Sequence, residues 1–330
     1  MRWPSLVLVL LVLPLAACGE EKAASGGQDK TNPESAAFQA NIRLAQDVES
    51  GDFPSPRGKS LEQLAAKLPP VNVGLATSVF TPGKNRLGFG VIDQKQSFVY
   101  GKTAVYLART PKGEVLGPFP APADPLVVDA PFRSQGAAEE TADVAAIYEA
   151  RVKLPSPGRW YLLAMTKVRG KTYGAAGELK VAASSPIPDV GEPAPRVKTD
   201  TLVDSGGDIK SIDTRVPPDD MHDTDLRDVI AKKPVALLFA TPALCESRVC
   251  GPVVDIAAQL KKKYGDRVAF IHQEVFVDNM ADKGLRPPLK AFELQTEPWL
   301  FTLDAEGRVA ARLEGSFGNG AFERAIKAAL

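Results

Sequence analysis

Between about Pro70 and Ala183 the apolar positions come in short runs rich in β-branched and aromatic side chains, interrupted by Gly, Pro and Asn. The runs "RLGFGVI", "TAVYLART", "EVLGPF", "AIYEARVKL", "RWYLLAMTKV" and "YGAAGELKVA" are expected strands, and their spacing predicts an all-β antiparallel sandwich over residues 70–183. Further along, the period changes. A helix over "DTDLRDVIAKK" precedes the apolar strand "VALLFA", and an amphipathic helix over "PVVDIAAQLKKKY" precedes the strand "RVAFIHQEVFV". After a segment around "LKAFELQ" come the strands "WLFTLDA" and "RVAARLEG", joined through Glu306-Gly307, and a last helix "GAFERAIKAAL". Strands alternating with helices and ending in a hairpin predict an α/β domain over residues 197–330, a mixed sheet with flanking helices.

The stretch between these regions, "SSPIPDVGEPAPRVKTD", is dense in proline, so residues 184–196 are expected to be an extended, stiff linker. At the start of the chain, "MRWPSLVLVLLVLPLAAC" carries one positive charge at Arg2, an apolar run from Leu6 to Leu15 and small residues ending at Cys18. That is the pattern of a secretory signal over residues 1–17, too short to span a bilayer as a mature helix. Residues 18–69 are rich in Ala, Ser, Gly, Gln, Pro and charge, which predicts a largely disordered tether. A short helix in "SLEQLAAKL", capped by Ser60, is expected at its end. Leu15-Ala16-Ala17-Cys18 resembles the lipobox of bacterial lipoproteins. The resemblance implies that Cys18 is the first mature residue, that it carries lipid, and that the chain is held on a lipid bilayer outside the cytoplasm. Each buried methylene of such an anchor contributes about 0.8 kcal/mol.

Forty basic and forty acidic residues give no net charge, and the Lys and Arg positions are scattered, which argues against a nucleic-acid partner. Of three cysteines, Cys18 is the lipid site under that resemblance; Cys245 and Cys250 remain as a pair where disulfides form and persist. Their loop, "ATPALCESRVCGPVV", is consistent with a working dithiol, a fixed staple, or two buried small side chains. A disulfide needs Cα atoms about 4.4 to 6.8 Å apart. Residues five apart on an unbroken helix are displaced by about 7.5 Å and point about 140° apart, so closure needs a break before the helix. Gly251 as cap and Pro252 as first helical residue would supply one. Arg248 would favour a thiolate in this loop and Glu246 would oppose it.

Two resemblances add to this reading. "YEARVKLPSPGRWYLLAMT", a strand, a Pro-Gly turn and a second strand, resembles the closing hairpin of bacterial immunoglobulin-like domains. Residues 186 to 330 resemble the thioredoxin-like fold of the redoxin and peroxiredoxin branch. "VGEPAP" is similar to the family's entry segment, Cys245 follows the strand ending in Phe239-Ala240, Pro298 in "TEPWLF" stands where the family carries a cis-proline, and "LDAEGRVAARLEG" resembles the terminal hairpin. The spacing C-x4-C departs from thioredoxin C-x-x-C and is closer to atypical two-cysteine peroxiredoxins of the bacterioferritin comigratory type. Pro242, however, stands three residues before Cys245, where the peroxiredoxin pattern has Thr or Ser. A second alignment lays Cys250-Gly251-Pro252 on the thioredoxin Cys-Gly-Pro-Cys and leaves Val253 at the resolving position, and Leu238 stands where thioredoxins bury an acid.

The resemblance implies a thiol-disulfide oxidoreductase that needs no cofactor. Cys245 would be the nucleophile, Cys250 the resolving thiol and Pro298 a contact for partner backbone, with Glu297 placing a carboxylate nearby that disfavours acidic partners. The implied partners are exported proteins with thiols or disulfides and a membrane or extracytoplasmic electron donor. The alternatives are a non-catalytic binding or scaffold lipoprotein with a structural disulfide, and a thiol peroxidase. His222 and His272 are the chain's two histidines, so metal chemistry has little to use. His272, in an expected central strand, reads as a hydrogen-bonded interior residue. Copper-delivering proteins of the Sco type share the fold and use two cysteines and a histidine, but with shorter cysteine spacing and the histidine on a loop. "PDDMHDTD" offers Asp219, Asp220 and His222 to a cation, but an acidic helix start capped by Asp223 or Thr224 accounts for the pattern. No metal is expected.

Overall fold

The computed structural model describes residues 33–135, 144–245 and 249–330. The signal at 1–17, the lipid site Cys18, and Glu246 and Arg248 lie outside the described residues.

Eight strands follow two N-terminal helices, α1 (Pro33–Gln46) and α2 (Leu61–Ala65). They are β1 (Asn72–Leu75), β2 (Gly83–Ile92), β3 (Lys102–Ala108), β4 (Val115–Pro120), β5 (Ala123–Pro125), β6 (Ala146–Leu154), β7 (Gly158–Val168) and β8 (Lys171–Val181). They form two four-stranded antiparallel sheets, in the orders β1-β2-β6-β5 and β4-β3-β7-β8. Alternate residues of each sheet meet in one core: Leu87, Phe89 and Val91 from β2 face Trp160, Leu162 and Ala164 from β7. Residues two apart on a strand share a face, which is how these side chains meet in one interior.

The expected closing hairpin is not one. β6 and β7 lie in different sheets, so the Pro155–Gly158 turn carries the chain across the sandwich. The tight hairpin is β7–β8, where Val168 pairs with Lys171 across Arg169 and Gly170. Both have positive φ (49° and 77°), the backbone of a two-residue turn that follows the strand twist.

Residues 33–69, which composition assigns to the tether, are also folded. Ile42 and Ala45 of α1 are buried in the sandwich core, and Phe38 meets Tyr100 edge-on at 5.4 Å. Apolar residues spaced four and three apart make a helical stripe that the polar average conceals. α2 starts at Ser60, whose hydroxyl accepts from Gln63 N while the Gln63 side chain accepts from Ser60 N. Its Leu61 and Leu64, with Phe53, cover the outer face of β3 and β7.

The remaining elements are α3 (Leu226–Val229), β9 (Val235–Phe239), α4 (Cys250–Tyr264), β10 (Ala269–Gln273), α5 (Pro287–Ala291), β11 (Trp299–Leu303), β12 (Val309–Glu314) and α6 (Asn319–Ala329). The sheet order is β10-β9-β11-β12; β9 and β10 are parallel and the other pairs antiparallel. Ala236 and Leu238 of β9 pack with Val253 and Ile256 of α4 and Phe322 and Ile326 of α6. Val235, Leu237 and Phe239 pack on the opposite face with Leu226, Leu289 and Phe292. Cover on both faces is why "VALLF" is unbroken rather than alternating.

Three expectations change here. The helix over "DTDLRDVIAKK" is only α3, and its cap is Asp225, whose carboxylate accepts from Arg227 N at 2.9 Å; Ala231 at φ 60° ends any continuation. The amphipathic helix begins at Cys250, not after it, with Val249 in the cap position. The 184–196 linker lies against β12: Gly191 N donates to Val309 O, Val309 N to Glu192 O and Ala194 N to Gly307 O. Its prolines suit an edge segment, where few backbone donors are needed.

The two units share a polar and an apolar seam. Arg86 donates to Glu149 and to the carbonyls of Glu314 and Ser316. The Glu314 carboxylate accepts from the backbone of Ser78 and Val79. Asp124 of β5 accepts from Gly320 N at 2.8 Å and Ala321 N at 2.7 Å, capping α6 from the other unit. Past β5 an arm crosses over, placing Leu126 and Val128 in the core beneath α4 and α6. Among the described residues, no helix is long and apolar enough to cross a membrane.

Candidate functional site

The parallel strand β9 ends at Phe239, and its continuation turns through Thr241 into the cysteine loop before α4 begins. Strand ends of this kind leave side chains exposed on a rigid support. Cys250 occupies the first turn of α4 and is wholly buried; Cys245, half-buried, lies against it. The two are thiols, not a disulfide, and they share a hydrogen bond. Burial pushes the Cys250 thiol well above its usual range, and the hydrogen bond and charge of Cys245 push it further. The Thr241 backbone works in the opposite direction, and the Glu297 carboxylate adds to the rise. The structure therefore brings together Cys245, Cys250 and Glu297. It does not give Cys250 the lowered value that a helix N-terminus alone would favour, because desolvation outweighs the dipole.

Pro298 joins this group through strand register. Trp299 of β11 faces Phe239 of β9, so the residue before it lies beside the start of the loop. The Glu297-Pro298 bond is cis, and the Pro298 carbonyl accepts from Gly315 N at 2.8 Å. Trp299 is core: it is buried, stacks on Phe301 and donates its indole N–H to Thr296. Next to the thiols, a cleft of about 570 Å3 opens between the two units. Leu75, Phe80, Ile92 and Phe98 line its sandwich side; Val249 and Glu297, neighbours of Cys250 and Pro298, line the other.

A second polar group lies under the loop. His272 of β10 is fully buried, with Nε2 3.1 Å from Ala240 O and Nδ1 2.7 Å from Asp219 Oδ2. Burial alone would lower its value; the charge and hydrogen bond of Asp219, with Asp213 and Glu274 behind, raise it to about 10. His222 and Asp213 complete the group, while Asp220 points away into an ion pair with Lys261. Residues missed in the sequence include Asp213 and the buried pair Arg215–Asp255, joined at 2.8 Å. Asp255 was visible as a charge on the apolar stripe of "PVVDIAAQL", but Asp213 sits in a segment without periodicity.

No family model and no curated protein matches the chain. Among solved structures it is similar to a thioredoxin-family thiol:disulfide interchange protein from Chlorobium tepidum TLS, at 17% identity and a TM-score of 0.29 over 45% of this chain and 99% of that one. It is also similar to an endo-beta-1,4-mannanase from Thermotoga petrophila, at 13% identity and a TM-score of 0.20 over 37% of this chain and 22% of the other. The PKD domain of the human VPS10 domain-containing receptor SorCS2 aligns at 14% identity and a TM-score of 0.17, over 40% and 90%. Likenesses this distant leave the fold's strand order and the cysteine loop to carry the functional argument.

Proposed function

We propose that the chain is a thiol-disulfide oxidoreductase with a thioredoxin-like C-terminal domain and an immunoglobulin-like sandwich, tethered outside the cytoplasm through lipid on Cys18. The observation that carries the reading is the meeting of the Cys245 and Cys250 thiols between β9 and α4, beside Pro298. The strand order β10-β9-β11-β12, with a helix after the first strand and another after the last, is what a thioredoxin-like domain requires. Cys245, the more exposed thiol, attacks one sulfur of a partner disulfide as the thiolate, and the other partner sulfur leaves and takes up a proton. Cys250 then loses its proton and attacks Cys245 Sγ, releasing the second partner thiol and closing the Cys245–Cys250 disulfide. The partner disulfide is reduced, the pair is oxidised, and a donor dithiol restores it. The buried Cys250 gives the reduced pair little thiolate stabilisation, which favours this direction of flow.

The test is trapping. In Cys250→Ser, mixed disulfides with exported proteins accumulate through Cys245 and disappear on reduction; Cys245→Ser traps few. A Cys250→Ser chain that is folded, accessible at Cys245 and joined to nothing would refute the reading.

A further inference from the structure

Asp213, Asp219, His222 and His272 converge beneath the end of β9, each offering a donor atom, all four within 4.8 Å of one another. His222 is 2% exposed, yet neither ring nitrogen has a hydrogen-bond partner among the described residues. A buried imidazole left unsatisfied on both sides needs an explanation. Its Nε2 lies 3.5 Å from Asp213 Oδ2 and 3.4 Å from Asp219 Oδ1 without forming a hydrogen bond to either. Those separations suit atoms sharing one ion: bonds of about 2.0 to 2.1 Å in tetrahedral arrangement set ligand atoms about 3.3 Å apart.

The surroundings hold these donors in place as outer partners hold metal ligands. His272 directs Nε2 at the Ala240 carbonyl, which turns Nδ1 toward the group. Asp213 accepts from Arg215 N through Oδ1 and from Asp219 N through Oδ2. Asp219 accepts from Met221 N, and His272 N donates to Met221 O, fastening the 213–222 loop to β10. An ion pair between His272 and Asp219 accounts for those two residues and leaves His222 unexplained. We propose that Asp213, Asp219, His222 and His272 bind one divalent transition-metal ion of the zinc class. Two imidazoles with two carboxylates suit such an ion, whereas magnesium and calcium take oxygen ligands. The site is independent of the thiol chemistry, although it braces Ala240, the residue before the cysteine loop begins.

The test uses the full chain carrying Cys245→Ser and Cys250→Ser, stripped with a chelator and titrated with Zn2+ alone. One ion should bind per chain and survive gel filtration. Co2+ should give the visible bands of a tetrahedral nitrogen and oxygen site, with no thiolate charge-transfer band. His222→Gln, which keeps the bulk and removes the imidazole, should weaken binding about 100-fold or more, as should His222→Ala. Asp220→Ala, on an exposed neighbour, should leave affinity unchanged. Absence of retained Zn2+, or a folded His222→Gln chain with undiminished affinity, would overturn the proposal.

Discussion

Closing the Cys245–Cys250 disulfide should stabilise the folded chain, and the amount follows from the loop. Six residues are cross-linked, and chain entropy at that length gives about 7 cal/mol/K, or about 2 kcal/mol at 25 °C. Whether the reduced form offsets this depends on its thiolate. In strongly oxidising pairs the reduced state is stabilised, but here burial, Cys245 and Glu297 all disfavour the Cys250 thiolate. With no offset from Cys250, the oxidised chain should unfold at higher urea than the reduced one, by about 2 kcal/mol. Around the thermodynamic cycle this makes the folded pair about 45 mV more reducing than the same pair in the unfolded chain, at about 30 mV per 1.4 kcal/mol. Urea unfolding with and without reductant gives the first quantity; glutathione titrations in buffer and in denaturant give the second. A reduced form more stable than the oxidised one, with a folded potential less negative than the unfolded, would refute the argument from the buried thiol.

Iodoacetamide should alkylate Cys245 at least about tenfold faster than Cys250 in the reduced native chain, read by mass spectrometry; equal rates would place Cys250 at the surface. Asp124→Ala removes the cap of α6 and leaves two amides without their acceptor, so it should cost about 2 kcal/mol in urea unfolding; a loss under about 0.5 kcal/mol would mean water replaces the carboxylate. Glu323, hydrogen-bonded to Lys263 and Tyr264, has its value lowered to about 2. A lowered carboxylate adds stability above its unfolded value of 4.5 and loses it as pH falls toward about 2. Half-buried itself but paired with the exposed Lys263, it should separate wild type from Glu323→Gln by at most about 1 kcal/mol at neutral pH, with the gap closing in acid.

What could be read from the sequence follows from what each pattern encodes. β9 is an unbroken apolar run because helices cover both faces. In β2, Leu87, Phe89 and Val91 alternate with glycines because one face is turned to the other sheet, whereas β7 is buried without a break from Leu162 to Thr166 because α2 and Phe53 cover its outer face. Periodicity reports burial, not pairing, so it found β6 and β7 and could not tell that they lie in facing sheets. The cysteines were legible as a pair because setting Cys18 aside leaves two in one loop between a strand and a helix; the depth of Cys250 was not, because Val249, rather than Gly251, takes the cap position. Asp213 and His272 are 59 positions apart, and no local pattern links them. Their meeting depends on Met221, which ties the 213–222 loop to β10 by a backbone bond that any residue there could make. In residues 33–69, average polarity hid a narrow stripe around Ile42 and Ala45, enough to dock a helix.

The arm beyond β5 means that the peptide backbone joins the two units at more than one place. Leu126 and Val128 complete an interior that otherwise belongs to residues after 197, and Arg215 reaches back to the carbonyl of Phe132 on that arm. Cutting the chain within 184–196 would not release two independent modules. The fragments would stay clasped as a noncovalent heterodimer, and heat would melt them together, in a transition that moves with their concentration.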